Sequence, residues 1–204
     1  GDAEWLDQRA HRFADPFVRI GLLTGRNDLV ERGVAAARSA LTLTSHPRHR
    51  DNVIYTHTDF PTGLGPENVD HEGFPQRPLS SGPSWGAVGG LAGVAHLLDR
   101  LGGVFIDVER GIAVGVDGVI VTRATFQNDT LRVSIDNPLA ELPVPYDAPW
   151  EIDLRIVGLP AGEHDLVIND QPPTQLEVAR QTPSTVKLLV DGANVSSLGT
   201  RDQP

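Results

Sequence analysis

The stretch that decides the fold is LAGVAHLLDRLGGVFIDVERGIAVGV, residues 91–116. In its first half Leu91, Val94, Ala95, Leu98 and Leu101 recur at i, i+3, i+4, i+7 and i+10, the spacing of one helical face. Gly102-Gly103 ends that pattern, and the period becomes two: Val104 to Val108 and Ile112 to Val116 flank Glu109-Arg110-Gly111. Three residues with a glycine last suit a hairpin loop in which Gly111 takes the left-handed conformation. Helix therefore gives way to sheet at 102–103, and the chain divides there.

Downstream, Val119 to Phe126, Leu131 to Ile135, Trp150 to Val157, His164 to Ile168, Gln175 to Ala179 and Val186 to Val190 bring the expected strands to about eight. Turn residues separate them at Asp117-Gly118, Asn128-Asp129, Leu159-Pro160-Ala161-Gly162, Asn169-Asp170 and Asp191-Gly192. This pattern predicts an antiparallel β domain, sandwich-like, over 104–192, with 193–204 as a tail.

Upstream, Trp5, Leu6, Phe13, Phe17, Ile20 and Leu23 predict one kinked helix or two short ones, because Pro16 removes a backbone donor in mid-run. Thr24-Gly25-Arg26-Asn27-Asp28 supplies a glycine C-cap and an Asn or Asp N-cap, and Leu29 to Leu43 forms a second helix with Leu29, Val30, Val34, Ala37 and Leu41 on its apolar side. A helix start at Ser81-Gly82-Pro83-Ser84 opens the third, in which Gly86, Gly89, Gly90 and Gly93 call for close approach by another backbone or by a ligand.

Between the second and third helices lies HPRHRDNVIYTHTDFPTGLGPENVDHEGFPQRPLSSGPSWGAVGG, residues 46–90. It has little periodicity but holds Tyr55, Phe60, Phe74, Trp85 and four of the seven histidines. Disordered segments are poor in aromatics, and irregular loops of this length are usually functional, so residues 46–84 are expected to form a binding or catalytic surface.

Composition narrows the partners. A net charge of -10 argues against nucleic acid, whose phosphates need a basic patch. Cysteine is absent, which removes disulfide, zinc-thiolate and thiol chemistry. No apolar run is long enough to span a bilayer. The chain also lacks methionine, and is expected to be a processed product or a fragment.

Two motifs then carry a family resemblance. The segment GLLTGRNDLVERGVAAARSALTLTS, residues 21–45, resembles the recurring hairpin of six-hairpin (α/α)-toroid carbohydrate-active proteins, and SGPSWGAVGGLAGVAHLLDRLGG, residues 81–103, looks like the helix that closes such a toroid. The β segment from Val104 is similar to the C-terminal β domain of glycoside hydrolases and polysaccharide lyases of that type. The resemblance implies an α+β chain: residues 1–103 as the last hairpins of a truncated toroid, the remainder of which would lie in an N-terminal part of the same protein. It implies a polysaccharide or oligosaccharide substrate and a secreted or periplasmic location. The three or four helices here are too few for a whole toroid.

The loop offers groups for either chemistry. Glycoside hydrolysis needs two carboxyl groups flanking the bond, for which Asp59, Glu67, Asp70 and Glu72 are available. A lyase needs a base to take the proton alpha to a uronate carboxylate, and Tyr55, His57 and His71 qualify. Asp70-His71-Glu72 is the preferred catalytic group, since flanking acids favour the imidazolium, with Tyr55 and His57 beside it. Asp59, Glu67, Asn68, Arg77 and Trp85 are the expected substrate contacts. No cofactor is expected. Calcium on Glu67, Asp70 and Glu72, or zinc on His57 and His71, is a weaker alternative that matches no established spacing. The competing functional readings are a non-catalytic carbohydrate-binding or structural β-sandwich module on a helical support, and an interaction domain on a helical stalk.

Overall fold

A computed structural model describes residues 11–41, 85–141, 148–179 and 183–200. The class is mixed α+β: among the described residues, three α-helices precede two β-sheets. Two compact units divide it. One comprises residues 1–20 and 28–96, the other residues 21–27 and 97–204.

In the helical unit, α1 (His11–Thr24) runs continuously across Pro16, and α2 (Asn27–Leu41) buries Val30, Gly33, Val34 and Ala37 at helical spacing. The facing side of α1 is Ala14 and Val18, both buried. A Cβ built on Gly33 would lie 2.6 Å from Ala14 O and 2.7 Å from Val18 Cγ2, so the helices meet at backbone contact because residue 33 has no side chain. Within the second unit the α1–α2 turn closes as expected. Gly25 has φ +67° and Arg26 N–H reaches back to Gly21 O at 2.9 Å, a glycine-terminated Schellman turn.

The third helix, α3 (Trp85–Leu101), begins just after the expected Ser81–Ser84 start. Its buried side is set differently from the expectation: Leu97 and Leu101 are buried, Val94 and Leu98 are half-buried, and Ala95 is exposed. Leu97, absent from the expected face, is the first residue of α3 that belongs to the β unit. Gly102, at φ +73°, then turns the chain into the first strand.

The strands are β1 (Val104–Asp107), β2 (Ile112–Gly115), β3 (Ile120–Gln127), β4 (Thr130–Asp136), β5 (Trp150–Val157), β6 (Gly162–Ile168), β7 (Thr174–Val178), β8 (Ser184–Asp191) and β9 (Asn194–Thr200). One sheet has the order β2-β1-β5-β8-β9 and the other β3-β4-β6-β7. Val104, Ile106, Ile152, Leu154, Ile156, Val186, Leu188 and Val190 of the first face Leu131, Val133, Ile135, Leu166, Ile168 and Leu176 of the second in one core. Period-two alternation accounts for this: in β4 the inward set is Leu131, Val133 and Ile135, and the outward set is Thr130, Arg132, Ser134 and Asp136.

Two expectations need correction. The domain was expected to be antiparallel throughout, but among the described residues β1 pairs with β5 and β4 with β6 in parallel. Both parallel connections are made by way of the opposite sheet. Alternating Val and Ile suit either direction, so the pattern alone does not distinguish them. Secondly, the expected tail from 193 contains β9, which pairs with β8 from Val186↔Thr200 to Asp191↔Asn194 and buries Val195.

Candidate functional site

Tyr55, His57, Asp59, Glu67, Asn68, Asp70, His71, Glu72 and Arg77 lie outside the described residues, so the structure brings none of them together. Trp85 is the first residue of α3, and its side chain is also outside the described set. What the structure describes are the chain ends that frame this segment: α2 stops at Leu41 and α3 starts at Trp85.

Sequence reasoning passed over Asp15, Arg19 and His96 of the helical unit. Asp15 pairs with Arg19 at 2.8 Å, one turn along α1, and its other oxygen is 3.9 Å from His96 Nε2 on α3. All three side chains are at least a third exposed, and solvent-screened pairs of this kind are worth little. No motif marks them, since the contact joins residues from distant parts of the sequence.

In the β unit the buried polar groups are mostly occupied in holding turns. Asp107, on β1, accepts Arg110 N–H at 3.0 Å through Oδ1 and pairs with Arg110 Nη1 at 2.9 Å through Oδ2. That hydrogen bond, and then the carboxylate charge, raises the Arg110 pKa above its ordinary value. A Cβ on Gly158 would press on Asp107 Oδ1 and Glu109 N, so the carboxylate is packed in from the other side while Arg110 stays half-exposed. Asn169 uses its side-chain amide as a short strand, accepting from Ile135 N and donating to Ile135 O, both at 2.8 Å. Asn137 donates to Gly192 O at 2.7 Å and accepts from Leu139 N at 3.0 Å.

His164 differs from these. It is on the inward side of β6, opposite Leu176, and is 4% exposed. Its Nε2 is 2.8 Å from Pro160 O, while Nδ1 is buried and no described residue gives it a hydrogen bond. Asp129 Oδ1, on the β3–β4 turn, is 3.7 Å from Nδ1, and the Phe126 ring stands edge-on at 5.4 Å. A signal was present in Gly162-Glu163-His164-Asp165-Leu166-Val167-Ile168, where period two puts His164 in line with Leu166 and Ile168.

Among the described residues no group of three or more His, Cys, Asp and Glu side chains is placed to hold a metal ion, and no helix is long and apolar enough to cross a membrane. In comparisons with known proteins, the chain matches no family model, no curated protein and no solved structure.

Proposed function

We propose that this chain is the C-terminal part of a polysaccharide-degrading enzyme, a glycoside hydrolase or polysaccharide lyase built on an (α/α) toroid, with residues 46–84 lining the sugar cleft. The observation that carries the reading is the two-sided character of α1. Ala14 and Val18 pack on α2, whereas Phe13 and Ile20 are 63% and 50% exposed, and Leu23, farther along the helix, is 83% exposed. A helix apolar on two sides belongs between two neighbours, as in stacked helical hairpins, and bare apolar surface marks a missing partner. An upstream hairpin of the same toroid would cover it.

The β-sandwich binding module is the weaker reading. Flat sugar-binding faces rely on exposed aromatic rings. Among the described strands, Phe105 is buried, and Phe126 and Trp150 are partly buried against the core.

In the full-length protein, Asp70→Asn, His71→Ala and Glu72→Gln should each lower turnover on an acidic or neutral polysaccharide by about 100-fold or more with folding intact. The product separates the two chemistries, an unsaturated uronate end from a lyase and a saturated reducing end from a hydrolase. Parent-like turnover in all three variants would remove the catalytic role from this loop.

A further inference from the structure

We propose that the gap between His164 and Asp129 binds a divalent transition metal of the zinc class, with His164 Nδ1 and the Asp129 carboxylate as its two protein ligands. The tautomer is the first step. A carbonyl oxygen can only accept, so the 2.8 Å contact with Pro160 O puts the ring proton on Nε2. In the neutral ring the lone pair is then on Nδ1, the buried nitrogen that receives no hydrogen bond from a described residue. The group facing it, Asp129 Oδ1 at 3.7 Å, is another acceptor. Two acceptors opposed in this way repel unless something positive lies between them.

The spacing suits a metal ion. Zinc–nitrogen and zinc–oxygen bonds of about 2.0–2.2 Å would span the 3.7 Å gap at a ligand–metal–ligand angle of roughly 130°. The surroundings suit one as well. Tying the far ring nitrogen to a backbone carbonyl is the usual support of a ligating imidazole, because it fixes both tautomer and ring orientation. Phe126 holds the ring edge-on from another side. Asp129 stands in a fixed turn, with φ +57° and its carbonyl accepting Asp165 N–H at 2.9 Å. Its side chain is 82% exposed, which leaves an open side where water completes the coordination. Imidazole with one carboxylate favours zinc over calcium or magnesium, which take oxygen ligands. With two protein ligands the ion is exchangeable, and the β unit does not need it to fold.

The test uses the whole chain and zinc ion alone. Side-chain nitrogen NMR reads the His164 Nδ1 resonance, and thermal unfolding reads stability, for the parent and for Asp129→Asn. Asparagine tolerates the left-handed turn position, so the variant removes the charge and leaves the turn. Zinc should shift the Nδ1 resonance and raise the parent's midpoint, and Asp129→Asn should weaken the apparent affinity at least tenfold. An equal response in Asp129→Asn would assign the zinc to other histidines and overturn the proposal. So would an Nδ1 resonance that ignores zinc and moves only on acidification, because the gap would then take a proton, and so would an equal response to calcium.

Discussion

Asn27 Oδ1 accepts the backbone N–H of Ala113 at 2.9 Å, across 86 positions of sequence. The turn between α1 and α2 thereby supplies an acceptor to β2, the edge strand of the first sheet, within a single compact unit. An edge strand presents unpaired N–H groups that invite the wrong partner, and a neighbouring loop is one way to cover them.

Replacing Asn27 by alanine should therefore lower stability by about 1–2 kcal/mol, since a partly buried donor loses its acceptor. Asn27→Asp keeps the acceptor and should recover most of the loss. Urea unfolding of the three proteins gives the comparison, and an alanine variant as stable as the parent would mean that water serves Ala113 equally well.

Gly33 makes propensity and packing disagree in sign. Alanine at a helix interior gains about 1 kcal/mol over glycine, but here its Cβ would meet Ala14 O and Val18 Cγ2 at 2.6 and 2.7 Å. Overpacking against main chain should prevail, and Gly33→Ala should lose about 1–3 kcal/mol. Ala35→Gly, at an exposed position of the same helix, should lose about 1 kcal/mol by propensity alone. A stabilised Gly33→Ala protein would show that the helices do not meet at backbone contact.

The Asp107–Arg110 pair should behave non-additively. Removing Arg110 strands a carboxylate that is 3% exposed, so Arg110→Ala should lower the unfolding midpoint. Adding Asp107→Asn to Arg110→Ala should restore part of that loss, because the buried charge is gone. Four urea midpoints complete the cycle, and strict additivity would show that the two side chains act independently.

Val195 tests the last strand. It is 1% exposed, and Val195→Ala should cost about 1–3 kcal/mol, whereas a residue in a loose tail would tolerate the change within about 0.5 kcal/mol. Thermal or urea unfolding distinguishes the two.

Local features of the fold were legible because their causes are local. Gly111 takes φ +66° in the expected hairpin loop, and Asn128-Asp129 and Asn169-Asp170 take positive φ at the expected turns. Strand partnership across the molecule was not legible: nothing near Val104 marks Leu154 as its parallel neighbour. The strand β9 escaped notice because Asn194-Val195-Ser196-Ser197-Leu198-Gly199-Thr200 carries one inward apolar residue, with Leu198 half-exposed. For the candidate site, sugar chemistry was an expectation from the family resemblance, and residues 46–84, which lie outside the described residues, offered acids and bases whose chemistry depends on distances that sequence spacing does not encode. His164 was placed on the core face by its alternation, while its approach to Asp129 depends on β4 and β6 lying side by side.

The parallel pairing of β1 with β5 also sets a timetable for synthesis. The hairpins β1–β2, β3–β4, β6–β7 and β8–β9 each join neighbours in sequence and can close soon after they emerge from the ribosome. The inner edge of β1 must wait for Leu154 and its neighbours. At about 5–20 residues per second, that is a delay of several seconds with one edge of an apolar strand unpaired. Misassembly is most probable in that interval, and variants that slow the arrival or docking of β5 should reduce soluble yield more than equally destabilising changes in the hairpin turns.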